Sequence, residues 1–155
     1  MKHLMAKTIL IIEDDVLLRG AIADILDLHG YETLEAATGL GGIRLCNQNA
    51  PDLILCDVNL PGLTGYDIFT MMQNRPETAK IPFIFVTGVE AELSRMYQAY
   101  PNILGVLRKP FPMLELVNRI DNFFAKGLAE HNEQPRKYRP GRRSNGEEQN
   151  DTVQP

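Results

Sequence analysis

Four apolar stretches, at residues 8–12, 53–56, 82–86 and 103–107, run without the polar alternation of a half-exposed strand. Continuous runs this short suit strands covered on both faces, which is the condition of a parallel sheet. A weaker run at 31–36, "YETLEA", makes a fifth. Between the runs lie segments with helical spacing. Residues 16–29 put Leu18, Ile22, Ile25 and Leu26 on one face, with Gly30 placed to end the helix. Helices are also predicted over 39–49, 64–74, 90–99 and 111–126, the last carrying Leu114, Val117, Ile120, Phe123 and Phe124. Strands and helices in alternation predict an α/β fold: a parallel sheet of five strands with five helices, joined by right-handed crossovers. The second strand and the 39–49 helix, which opens on the glycine-rich "TGLGG", carry the thinnest pattern.

The folded part is expected to end at Gly127, giving one domain over 1–127. Residues 128–155 hold three prolines, two glycines and few apolar side chains, too little burial to offset the entropy of ordering them. Arg136, Lys137, Arg139, Arg142 and Arg143 there balance Glu130, Glu133, Glu147, Glu148 and Asp151. A disordered polar tail is predicted, not a second domain. The net charge of -4 then belongs wholly to the domain and argues against nucleic acid, so no direct DNA binding is expected. The N-terminal apolar run is too short for a signal peptide and ends in three acids, and no stretch approaches the ~20 apolar residues of a membrane span. A cytoplasmic protein without a membrane partner is expected. Cys46 and Cys56 lack metal-ligand spacing and read as buried thiols, and His3, His29 and His131 are too scattered for a metal site or catalytic pair.

The residues equipped for chemistry stand at the ends of the predicted strands. "DLILCDVNLPG" runs straight from apolar residues into Asp57, although a carboxylate at the margin of a core costs free energy unless compensated. The first strand ends in "IIEDD", giving Glu13, Asp14 and Asp15; the fourth ends in Thr87 and the fifth in "RKPF", with Lys109. In a parallel sheet these carboxyl ends share one edge, where open α/β folds bind their ligands. Singly, each has a plain reading: Asp15 as the N-cap of the first helix, Thr87 as a strand residue, Lys109 as a surface lysine. Together, clustered acids with no counter-charge of their own repel, and an oxygen-only site suits Mg²⁺ or Mn²⁺. A carboxylate beside such a cation, with a lysine and a hydroxyl opposite, is equipped to attack phosphorus. Asp57 is the predicted nucleophile.

The acidic pair, "D-x-N-x-P-G-x-x-G" from Asp57, "V-T-G" and "K-P-F", in this order and spacing, resemble a receiver domain of two-component response regulators. The resemblance spans about residues 7–126. It implies a flavodoxin-like doubly wound sheet in the order 2-1-3-4-5. It also implies that Asp57 is the phosphoacceptor and that Glu13 and Asp14 are metal ligands, Asp14 the more direct. Asn59 would offer its backbone carbonyl to the metal. Thr87 matches the hydroxyl that moves to the phosphoryl group, and Lys109 the lysine that pairs with it. Gly88 matches the small residue that leaves the phosphate reachable, and Pro110 the proline after the lysine. One position departs: Val106 stands where receivers usually carry the Tyr or Phe whose inward swing signals activation, so the output route must differ.

The resemblance implies a single-domain regulator that accepts a phosphoryl group from a sensor histidine kinase or histidine phosphotransfer protein. It would then switch a downstream protein target or relay the group, with no enzymatic activity beyond its own Mg²⁺-dependent phosphorylation and dephosphorylation. Two other readings compete. A receiver-fold binding module that works without phosphorylation is one: the presence of the acids, Asp57 and Lys109 counts against it, and Val106 counts weakly for it. An aspartate-nucleophile phosphohydrolase would typically need a second Asp two residues after Asp57, where this chain has Asn59, and a substrate-covering cap for which there is no room.

Overall fold

The computed structural model describes residues 5–88, 95 and 99–133. Five strands form one parallel sheet: β1 (Thr8–Ile12), β2 (Glu32–Ala36), β3 (Leu53–Asp57), β4 (Phe83–Thr87) and β5 (Ile103–Arg108). Their order is β2-β1-β3-β4-β5, as the resemblance implied. Four helices lie among the described residues: α1 (Val16–Leu28), α2 (Gly39–Asn49), α3 (Gly65–Gln73) and α4 (Met113–Glu133). The helix predicted over 90–99 falls largely outside the described residues. No helix among them is long and apolar enough to cross a membrane.

Each central strand is buried on both faces because its neighbouring side chains feed two different cores. Ile9, Ile11, Leu53, Leu55, Ile84, Val86 and Leu107 pack against Ile22, Ala23 and Leu26 of α1 and Leu116, Val117 and Ile120 of α4. Leu10, Ile12, Ile54, Cys56, Phe83 and Phe85 face the other way, onto Cys46 of α2 and Ile68, Phe69 and Met72 of α3. This double layer is why the apolar runs were continuous. Fully burying one such side chain stabilises by about 1.5–3 kcal/mol. In the edge strand β2 only Ala36 is buried, with Thr33 and Leu34 half-buried and Glu32 and Glu35 exposed, which explains its thin pattern. The glycines of α2 have a packing reason: a Cβ on Gly42 would stand 2.4 Å from Cδ1 of Ile12, so the helix lies this close to the sheet only with hydrogen there.

Some strand and helix ends differ from expectation in informative ways. β3 and β4 end on Asp57 and Thr87, as the strand-end reading expected, so both candidate site residues belong to the ladder itself, and β5 runs one residue past its apolar run, to Arg108. The last helix begins at Met113 and not at residue 111. Phe111 precedes Pro112, and the proline ring pushes the residue before it out of the helical region. The helix then continues past Gly127 to Glu133, beyond the expected domain end. A single glycine weakens a helix by about 1 kcal/mol relative to alanine and does not stop it unaided. Residues 134–155 lie outside the described residues.

Candidate functional site

Asp57 ends β3 and is buried, with only 4% of its surface exposed. Its Oδ1 accepts a hydrogen bond from the backbone N–H of Asn59 at 2.9 Å, and its Oδ2 accepts one from Lys109 Nζ at 2.8 Å. The ammonium also donates to Oε1 and Oε2 of Glu13, at 3.2 and 3.1 Å. Lys109 therefore bridges two buried carboxylates across the strand ends. The ammonium expected at this edge is thus the acids' own counter-charge, in direct contact with two of them, so the cluster is not left uncompensated. Burial would depress the Lys109 ammonium, but its hydrogen bonds to Asp57 and Glu13 outweigh that and hold it above its ordinary 10.5. Glu13 is pushed up to about 7, by burial first and then by the Asp57 carboxylate, against the pull of Lys109.

The other candidates converge on the same edge. Asp14 is exposed at the mouth, and carboxylate oxygens of Glu13, Asp14 and Asp57 lie within 4.8 Å of one another. Ligand oxygens around Mg²⁺ at ~2.1 Å stand roughly 3 to 4 Å apart, so small side-chain rotations close this set onto a hard cation. The donors fit. Asp15 stands apart from that set as the α1 N-cap, its Oδ1 accepting from Leu17 and Leu18 N–H at 2.9 and 3.2 Å. Thr87 is buried at the end of β4, and its carbonyl accepts from the Lys109 N–H at 2.8 Å, tying the β4 and β5 ends together. Beyond it, Gly88 is exposed and a Cβ there would meet nothing within 4 Å, so the approach on that side is open. The Lys109–Pro110 peptide is cis. Val106 pairs with Phe85 across the β4–β5 ladder and packs half-buried on the α2–α3 side of the sheet, while its carbonyl accepts from Arg119 Nη1 at 2.8 Å.

Three further residues shape the site. A Cβ on Gly65 would stand 2.6 Å from the carbonyl oxygen of Asp57 and 2.9 Å from Cα of Val58, so α3 starts against the backbone of Asp57 itself. Thr64 caps that helix in a reciprocal box with Asp67, its Oγ1 accepting from Asp67 N at 3.2 Å and its N–H donating to Asp67 Oδ2 at 2.9 Å. Arg19 donates from Nη1 to the Glu13 carbonyl at 2.9 Å. It is the one basic residue of α1, a signal the sequence offered and the strand-end reading passed over.

A family model described as the response regulator receiver domain matches residues 9–121. The chain belongs to this family. Protein PilH of Pseudomonas aeruginosa is 30% identical over 117 residues, covering 76% of this chain and 97% of PilH. The polar-differentiation response regulator DivK of Brucella ovis is 35% identical over 84 residues, 54% of this chain and 68% of DivK. With the probable transcriptional regulator ycf29 of Pyropia yezoensis, identity is 30% over 124 residues, 80% of this chain, and the chain spans 56% of that relative's length. A putative response regulator from Chloroflexus aurantiacus shares the receiver fold with a TM-score of 0.67 at 31% identity, covering 77% of this chain and 98% of the other. Chemotaxis response regulator CheY4 of Vibrio cholerae, at 23% identity, matches in fold with a TM-score of 0.67 over 76% of this chain and 98% of its own.

Proposed function

We propose that this receiver accepts a phosphoryl group on Asp57 from a histidine kinase or histidine phosphotransfer protein and then changes its binding to a downstream protein or passes the group on. The observation that carries this reading is the Asp57–Lys109–Glu13 bridge beside Asp14: a buried carboxylate with a cation in contact and a second anionic pair facing it. Glu13, Asp14, Asp57 and the Asn59 carbonyl would hold Mg²⁺ (or Mn²⁺). The metal, when bound, would neutralise charge on the phosphoryl oxygens. An Asp57 oxygen forms the new bond to phosphorus as the bond to the donor nitrogen breaks, and the donor imidazole leaves with that electron pair. Lys109, already 2.8 Å from Asp57, would turn to a phosphoryl oxygen, and the Thr87 hydroxyl would close on another. Gly88 leaves the approach clear and Pro110 sets the loop that carries Lys109. The receiver is not proposed to act on any other substrate, and a cytoplasmic location away from DNA and membranes fits this role.

Val106 carries a second reading, a receiver-fold module that binds partners without phosphorylation, because it lacks the ring whose swing reports activation. Amide shifts with beryllofluoride and Mg²⁺, a phosphoryl stand-in, separate the two. The proposed function expects large changes at Asp57, Thr87 and Lys109, extending along β5 into α4. A spectrum unmoved by beryllofluoride would leave the phosphorylation-independent reading standing.

A further inference from the structure

The two metal-facing acids are joined by a single peptide whose orientation nothing in "IIEDD" fixes by itself. Its carbonyl belongs to Glu13 and its N–H to Asp14, so its plane is set by ψ of Glu13 and φ of Asp14, the two torsions that relate one side chain to the other. The preceding peptide is held by the main chain, the Glu13 N–H donating to the Ala36 carbonyl at the end of β2 at 3.0 Å, and the Glu13 carboxylate is tied locally, its Oε1 accepting from the Asp15 N–H at 3.3 Å. The carbonyl of the linking peptide is held by Arg19. Its Nη1 donates to the Glu13 carbonyl at 2.9 Å, and its Nε lies 3.4 Å from Oε1 of Glu35. The guanidinium is well sheltered, at 16% exposure, whereas Glu35 is nearly half exposed at 44%. Arg19 is itself anchored in the first turn of α1, its N–H donating to the Asp15 carbonyl at 2.9 Å. One planar fork thus connects α1, the acidic loop and the end of β2.

We propose that Arg19 is a positioning residue for the Mg²⁺ site: by holding the Glu13–Asp14 peptide it presents both carboxylates to the metal. This rests on the metal-dependent phosphoacceptor reading above. The proposal makes a prediction opposite in sign to simple electrostatics. Removing a positive charge beside a dication site should tighten metal binding, whereas removing the clamp should loosen it. Groups that orient metal ligands from outside typically cost 10–100-fold in affinity when lost.

The test is a Mg²⁺ titration followed by amide shifts, on the parent and on Arg19→Met, Arg19→Lys and Glu35→Gln, each checked for a cooperative melt. Arg19→Met should bind Mg²⁺ about tenfold more weakly. Arg19→Lys, which keeps a donor to the carbonyl, should recover part of the loss, and Glu35→Gln should bind like the parent. Phosphorylation of Arg19→Met by acetyl phosphate should approach the parent rate once Mg²⁺ is saturating, because Asp57 and Lys109 are untouched. Unchanged or tighter Mg²⁺ binding in Arg19→Met overturns the proposal, as does a rate defect that Mg²⁺ does not repair. A parent that binds no Mg²⁺ overturns the functional reading as well; a parent that does, with Arg19→Met indifferent, overturns only the role of Arg19.

Discussion

Gly65→Ala should be the most damaging one-carbon addition near the site. The new Cβ would lie 2.6 Å from the Asp57 carbonyl oxygen, where ordinary contact begins at 3.4 Å, so the start of α3 must retreat by most of an ångström. The atoms it meets are backbone and have no rotamer to escape into. The same retreat stretches the 2.9 Å bond from the Gly65 N–H to the Val58 carbonyl. Overpacking of this kind costs about 1–3 kcal/mol and a lost hydrogen bond about 1, against a gain of at most ~1 from helix propensity. The net expectation is a destabilisation of roughly 1–3 kcal/mol, with slower phosphorylation because Asp57 is displaced. Gly20→Ala is the matched control. It lies inside α1 with nothing within 4 Å of its Cβ position, so the substitution should stabilise by about 0.5–1 kcal/mol. Urea denaturation midpoints and acetyl phosphate labelling rates measure both effects. A Gly65→Ala protein as stable and as reactive as the parent would refute the close approach of α3 to the Asp57 backbone.

Glu13 makes stability depend on pH in an unusual direction for a carboxylate. Its group ionises near 4.5 when unfolded and near 7 in the folded chain, so the folded state holds the extra proton between these values. Relative to Glu13→Gln, stability in EDTA should therefore fall as pH rises from about 4.5 to 7 and level off above, with a smaller fall in Mg²⁺; a parent-minus-variant difference that rises over this window would contradict a Glu13 proton held more tightly in the folded chain. Lys109→Met leaves Glu13 and Asp57 without their cation and should cost roughly 1–3 kcal/mol in EDTA, less than a fully buried pair because the ammonium is 28% exposed. Added Mg²⁺ should narrow that gap in thermal melts. Burial, and then the neighbouring Asp57 and Glu13 carboxylates, push the Cys56 thiol well above 9, so it should stay unlabelled by a thiol reagent until the chain unfolds. A chain ended at Glu133 should keep its melting temperature, since the described core residues all lie at or before Phe124.

Most of the sheet was readable because a strand buried on both faces leaves a mark that few alternatives share. Runs such as "LILC" and "FIFV" cannot be half-exposed strands, and their ends located Asp57 and Thr87. What was not readable depends on reach and local sterics. Lys109 meets Glu13 across 96 residues, and only the folded strand ends show that one ammonium spans both acids. Arg19 stood out in the sequence as the one basic residue of α1, but its partners, a backbone carbonyl and an edge-strand glutamate, show only in the folded chain. The start of α4 at Met113 follows from Pro112, whose effect on Phe111 is local and legible in the sequence. Val106 departs from the family pattern in the sequence itself, and the fold places it half-buried beside Phe85.

The most direct test of Asp57 as phosphoacceptor is the intact mass of the full chain after incubation with acetyl phosphate and Mg²⁺. One phosphoryl group should be gained, and it should disappear in Asp57→Asn and in parent protein treated with EDTA. A group retained in Asp57→Asn, or gained equally without metal, would contradict the assignment.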